Sequence, residues 1–156
     1  MAALAVGSKA PDFALENQDD RRVSLMDFAG KLLVIYFYPK DNTPGCQKEA
    51  ESFREHYAKL KSKGAEVVGV SKDTVASHLK FREKLSLPFD LLSDPGLDVL
   101  KAYGAWGKKV MYGREAEGTI RSTVIVDRDG KVAAVFPRVK PEGHAEEVLR
   151  KIEALV

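Results

Sequence analysis

The stretch Leu32-Leu33-Val34-Ile35-Tyr36-Phe37-Tyr38, continuing into Pro39-Lys40-Asp41-Asn42-Thr43-Pro44-Gly45-Cys46, decides the fold. Its first part is an unbroken apolar run, rich in β-branched and aromatic residues. The length is that of one strand. The lack of polar alternation means that both faces are covered, as in a sheet with helices on each side. Its second part leads from that strand into a helix. Ala50, Phe53, Tyr57 and Leu60 recur at helical spacing, and Cys46 extends the same stripe by one turn.

The flanking chain fits this nucleus. Residues 12–15 and 21–25 alternate around a polar turn at Asn17–Arg21 and predict a short N-terminal hairpin. After the first helix come a strand at Glu66–Ser71, a helix from Thr74 to Leu85, a strand around Phe89–Leu92 and a short helix around Leu97–Tyr103. Residues 119–126 and 131–136 are expected to pair across Asp127-Arg128-Asp129-Gly130, where glycine supplies the positive φ of the turn. A helix over Gly143–Leu155, with Val148, Leu149 and Ile152 on one face, closes the chain. The expectation is an α/β fold, a central mixed β-sheet flanked by helices with an N-terminal hairpin extension. Residues 1–156 read as one domain, without repeat or linker.

Composition narrows the function classes. The chain has 156 residues, 44% hydrophobic and 31% charged, with a net charge of +2. That is a globular composition, and no basic stripe points to nucleic acid. No apolar run approaches the ~20 residues of a membrane span. The opening Met-Ala-Ala-Leu-Ala-Val is too short and uncharged for a secretory signal, so the expected location is the cytoplasm. One cysteine rules out an internal disulfide, and the three histidines lack metal spacing, so neither metal nor cofactor is expected.

The chemistry centres on Cys46. Thr43 suits an N-cap, Pro44 the first helical position, and Gly45 lets other groups approach. Cys46 then falls at the third helical position, where unpaired N–H groups and the helix dipole favour a negative sulfur. A free thiol is only about 3% ionised at pH 7, so full ionisation gains ~30-fold at most. Enzymes need ~10⁶-fold or more. Another group must therefore hold the substrate and stabilise charge on the departing oxygen. Arg121 is the candidate: an arginine within Gly118-Thr119-Ile120-Arg121-Ser122-Thr123 is unusual unless it is paired or faces a site. Its forked donors suit both tasks. The Thr43 hydroxyl can donate to a substrate oxygen, Glu49 can orient Arg121, and Pro39 can shield the sulfur.

The spacing of Pro39, Thr43 and Cys46 resembles the peroxiredoxin signature. The wider stretch from Phe37 to Ala50 is similar to the peroxiredoxin Q subgroup, also called bacterioferritin comigratory protein. Gly69-Val70-Ser71-Lys72-Asp73, Tyr103-Gly104-Ala105-Trp106-Gly107 and Arg121-Ser122-Thr123 extend the likeness over nearly the whole chain. The resemblance implies a thioredoxin-like fold and a thiol-dependent peroxidase of antioxidant defence. It implies Cys46 as the peroxidatic cysteine, with Thr43 and Arg121 binding hydrogen peroxide or organic hydroperoxides.

The sequence departs from the subgroup in one respect. Many members carry a resolving cysteine five residues after the first, where this chain has Glu51. Others carry it in the next-but-one helix, where this chain offers Ser77, His78, Phe81 and Arg82. An external thiol must then resolve the Cys46 sulfenic acid: a thioredoxin, a glutaredoxin or a small molecule. A monomer is expected, with a dimer as the alternative. Two other readings compete. In one, Cys46 oxidation signals to a partner; in the other, the domain is thioredoxin-like with an inert thiol. With no internal cysteine to reach, the first helical turn is expected to stay folded through turnover. Crystal structures of reduced and oxidised protein test this, and a melted turn in the oxidised form would refute it.

Overall fold

The computed structural model describes residues 4–156. At its centre lies β3 (Leu32–Phe37), every residue of which is buried. It pairs in parallel with β4 (Ala65–Ser71) and antiparallel with β8 (Ser122–Val126). The full sheet has seven strands in the order β2-β1-β5-β4-β3-β8-β9, with β1 at Ala14–Glu16, β2 at Arg22–Ser24, β5 at Asp90–Ser93 and β9 at Val132–Phe136. The helices are α1 (Pro44–Ser62), α2 (Val75–Leu85), α3 (Asp98–Ala102) and α4 (His144–Leu155). This is the expected mixed sheet between helices. The N-terminal hairpin is more than an appendage, because β1 pairs with β5 and so extends the sheet.

Period-two alternation in β3 divides the core. Leu32, Val34, Tyr36 and Tyr38 face the layer that holds Phe53 and Leu60 of α1 and Val148 and Ile152 of α4. Leu33, Ile35 and Phe37 face a second layer with Leu100 and Tyr103. Tyr36 stacks on Phe53 with ring centroids 4.6 Å apart and meets Phe89 edge-on at 5.9 Å. A run with no polar residue is thus the sequence of a strand that serves two cores at once.

One element differs from expectation. Residues 119–126 are not a single strand. β7 (Arg114–Thr119) ends before Ile120, and β8 starts at Ser122. β7 pairs instead with β6 (Trp106–Met111) as a separate two-stranded ribbon. Tyr112 and Gly113 turn it, both at positive φ. The ribbon is rich in Lys, Glu and Gly, so it carries little of the apolar alternation by which strands are recognised.

Gly69 on β4 makes room for Tyr36. A Cβ there would lie 2.8 Å from Tyr36 Cζ and 3.0 Å from Leu91 Cδ2. Both neighbours are fully buried and cannot move aside cheaply. Gly69→Ala is expected to destabilise the fold by about 1–3 kcal/mol, read as a lowered urea midpoint with unchanged slope.

Candidate active site

Sheet register assembles the site. Phe37 pairs with Ser122, so Arg121 stands one residue beyond the ladder, at the sheet edge where β3 hands over to α1. The Arg121 carbonyl accepts from Val139 N–H at 3.0 Å, and the neighbouring Ile120 N–H donates to Ala105 at 2.7 Å. The break between β7 and β8 is therefore a pinned corner, and the guanidinium projects from it over the first turn of α1.

That turn has the expected layout. Pro44 opens the helix, Gly45 follows, and Cys46 is third. The Gln47 N–H makes the first intrahelical bond, to Thr43 O at 2.8 Å, so the amides of Gly45 and Cys46 precede the helix's own bonding. Thr43 occupies the N-cap position, but its hydroxyl does not cap. It donates to Lys40 O at 2.9 Å. Its hydrogen is therefore already committed, and the oxygen is left as an acceptor for an incoming O–H.

Arg121 Nη2 donates to Cys46 Sγ at 3.3 Å, and Nη1 donates to Glu49 Oε1 at 2.7 Å. One planar group thus bridges the sulfur and a carboxylate one turn further along α1. Gly45 permits the approach: a Cβ there would sit 3.2 Å from Arg121 Nη2 and 3.4 Å from Pro141 Cγ. Cys46 is 1% exposed, and Pro39 is half-buried at the end of β3. Of the residues singled out from the sequence, Gly45, Cys46, Glu49 and Arg121 are in mutual contact through the guanidinium. Thr43 and Pro39 lie in the loop that leads to them.

Glu49 is 0% exposed, and its Oε2 has no partner among the described residues. Burial raises its pKa to about 7, against the opposing pull of the Arg121 charge and hydrogen bond. Burial also works against the Arg121 charge, but Glu49 and Cys46 together hold that group above the ordinary arginine value. Tyr36 Oη is likewise buried without a partner, and its pKa is pushed well up by burial and by Glu49 and Cys46.

Several groups near the site escaped the sequence reading. Asp41, in the loop before Cys46, accepts from Tyr38 Oη at 2.6 Å and Ser77 Oγ at 2.8 Å, and meets His78 Nδ1 at 2.7 Å. The Asp41 N–H donates to Asp73 Oδ2 at 2.8 Å. Asp41, Asp73 and His78 thus gather ligand-type atoms within 4.8 Å, although each is engaged in hydrogen bonds. His144 opens α4 in contact with Thr123 Oγ1 at 2.7 Å, and burial lowers its pKa. Histidines and aspartates at such wide sequence separations leave no local signal. Trp106 packs at the rim of the second core, as anticipated, with Nε1 donating to Glu117 at 3.0 Å.

Comparison with known proteins decides the family. Residues 6–135 match the model of the AhpC/TSA family. The chain belongs to the AhpC/TSA family. This peroxiredoxin is 46% identical to a putative peroxiredoxin bcp of Helicobacter pylori over 152 residues, covering 97% of this chain and 100% of that one. It is 43% identical to a putative peroxiredoxin bcp of Coxiella burnetii over 150 residues, covering 96% and 99%. Among solved structures, the bacterioferritin comigratory protein of Xanthomonas campestris superposes with a TM-score of 0.90 at 35% identity, covering 97% of this chain and 99% of that one. The fold is thioredoxin-like, and the chain is a thiol-dependent peroxidase of the peroxiredoxin Q kind. Among the described residues, no helix is long and apolar enough to cross a membrane.

The buried carboxylate has a consequence for stability. The folded pKa of Glu49, about 7, lies above its unfolded value near 4.5. Between those values the folded state binds more protons, so stability is greatest at the acid end and falls as pH rises through the interval. The loss is on the order of 3 kcal/mol at most. Glu49→Gln is expected to flatten the stability profile between pH 5 and 7. Urea midpoints across that range check this; a slope equal to that of the parent would contradict it.

Proposed function

We propose that this enzyme reduces hydrogen peroxide and organic hydroperoxides through Cys46, with Arg121 and Thr43 as the groups that touch the peroxide. The observation that carries the reading is the guanidinium held between Cys46 Sγ and Glu49 Oε1. One N–H fork places positive charge on the sulfur, and its planar donors suit an oxygen departing beside it. Thr43, with its hydrogen on Lys40 O, accepts the peroxide O–H and so orients the O–O bond. Gly45 lets the Arg121 guanidinium come close to the first turn of α1, Pro39 shields the sulfur from water, and Glu49 acts through Arg121 as a positioning residue.

The Cys46 thiolate attacks one peroxide oxygen. An S–O bond forms, the O–O bond breaks, and the leaving oxygen takes a proton and departs as water or alcohol. The sulfenic acid then needs an external thiol, because the chain has one cysteine. A thioredoxin, a glutaredoxin and a small thiol all meet that chemical requirement. The short chain supports action as a monomer, with a dimer as the alternative. Dependence on external thiol supports a cytoplasmic location, where thiol pools are kept reduced.

The test is the second-order rate of Cys46 oxidation by hydrogen peroxide, with free cysteine alongside. A constant of ~10⁴ M⁻¹s⁻¹ or more is expected, abolished in Cys46→Ser and reduced ~10²-fold or more in Arg121→Ala. A rate equal to that of free cysteine would defeat the proposal in favour of an inert thiol.

A further inference from the structure

The end of the sheet that carries Cys46 also gathers cations that the proposed chemistry leaves without a task. Lys72 follows Ser71 at the end of β4, beside the end of β3, and its Nζ lies 5.8 Å from the centre of the Trp106 ring, where the ribbon begins. Lys109 stands in β6 and lies back along Gly118, whose missing side chain provides the space: a Cβ at 118 would be 3.1 Å from Lys109 Cδ. This directs the amine towards the base of the ribbon, where Arg121 follows β7. Arg138 precedes Val139, whose N–H is bonded to Arg121 O.

The charges at this mouth are unbalanced. Among the described residues, none of Lys72, Lys109 and Arg138 has a carboxylate within salt-bridge distance, whereas Arg121 has Glu49. The nearby acids point elsewhere: Glu117 accepts from Trp106 Nε1, and Asp73 from Ser71 Oγ and the Asp41 amide, and neither pairs with these cations. Lys109 feels the imbalance. Burial, then the charges of Arg121, Arg138 and Lys72, push its pKa below the ordinary lysine value, while Cys46 pulls the other way.

We infer that Lys72, Lys109 and Arg138 form a cationic rim that selects a small thiol bearing a carboxylate as the reductant of oxidised Cys46. The inference rests on the peroxidase reading proposed above. In the step it serves, the reductant thiolate attacks Cys46 Sγ and an S–S bond forms. The S–O bond of the sulfenic acid breaks, and hydroxide leaves as water after taking a proton. A second thiolate then attacks the reductant sulfur and releases Cys46 as thiolate. Small size follows from burial. Cys46 is 1% exposed, and the loop that leads to it is tied to Asp73, Ser77 and His78, so a slim thiol needs less displacement of the surroundings than one fixed on a folded protein surface. Charge selection follows from the rim: a carboxylate beside the attacking sulfur meets three cations that have no salt-bridge partner among the described residues.

The experiment compares 3-mercaptopropionate with 2-mercaptoethanol, using rate constants corrected to thiolate concentration. Two forms of the protein are attacked: Cys46 oxidised by hydrogen peroxide, and Cys46 carried as a mixed disulfide with the neutral 2-thiopyridyl group. The second form reads the rim even where peroxide oxidation fails, so failure of the peroxidase reading is seen separately in the first. The carboxylate thiol is expected to react faster on both, with an advantage that shrinks as salt rises. Lys109→Glu and, separately, the exposed Arg138→Glu should each cut the ratio about fivefold at low ionic strength and ~twofold at 0.15 M salt. Lys31→Glu makes the same charge change at the opposite end of β3 and should leave the ratio as it is. Equal rates for the two thiols in the parent protein, or a ratio indifferent to both rim reversals, would overturn the inference.

Discussion

Burial of β3 on both faces is the constraint from which the rest of the molecule follows. Alternate side chains feed two separate cores, so the strand must sit centrally with helices on each side. A central strand ends where its neighbours end. β4 stops beside it in parallel at Ser71, and β8 starts opposite it at Ser122. Three stretches of backbone therefore leave the sheet at one edge, and each brings its own chemistry: the turn into α1 brings Cys46, the corner before β8 brings Arg121, and the end of β4 brings Lys72. The position of the site is a consequence of topology, as is general where parallel strands end.

Electrostatics single out the part of this edge that does least for stability. A buried arginine–carboxylate pair is weak support for a fold, because the cost of removing both charges from water offsets much of their attraction. Here the balance is poorer than usual, since Glu49 Oε2 is without a partner and the carboxyl pKa is raised to about 7. A hydrophobic residue at position 49 would continue the stripe of Ala50, Phe53 and Leu60 and would serve packing better. The polar arrangement makes sense if Arg121 must hold one orientation with a fork free for the sulfur, which is the positioning role proposed for Glu49. Local rules of stability are broken where an arrangement serves something else.

The fold was legible where the apolar pattern is strong. The run Leu32–Tyr38, the stripe of α1, the helix that begins at Thr74 and the Gly130 turn all follow from local sequence. The ribbon β6–β7 was not legible. Its strands are rich in Lys, Glu and Gly and touch the core only at the base, through Trp106, so periodicity has little to register there. The site was legible in its residues but not in all its bonds. Arg121 stood out because a charge beside strand residues needs a partner. Thr43, however, donates to Lys40 O rather than capping the helix. Asp41 and His78 meet across 37 residues, a pairing that only the packing of α2 on the loop creates.

That last pairing bears on why one cysteine can suffice. The loop between β3 and α1 is held through Asp41, which accepts from Tyr38 and Ser77, contacts His78 and gives its amide to Asp73. His78 Nε2 faces Leu92 O at 3.0 Å, so the same ring also ties α2 to β5. To move the loop would strip several buried polar groups of their partners at once, each at a cost of about 1–3 kcal/mol. An internal resolving thiol would have to be brought to Cys46 against that resistance, or Cys46 would have to be carried out to it. A fixed sulfur, approached by a mobile thiol, needs neither movement. A clamped loop and the lack of a second cysteine are in this sense two sides of one arrangement. The proposed cycle lets the reductant travel while the site stays in place.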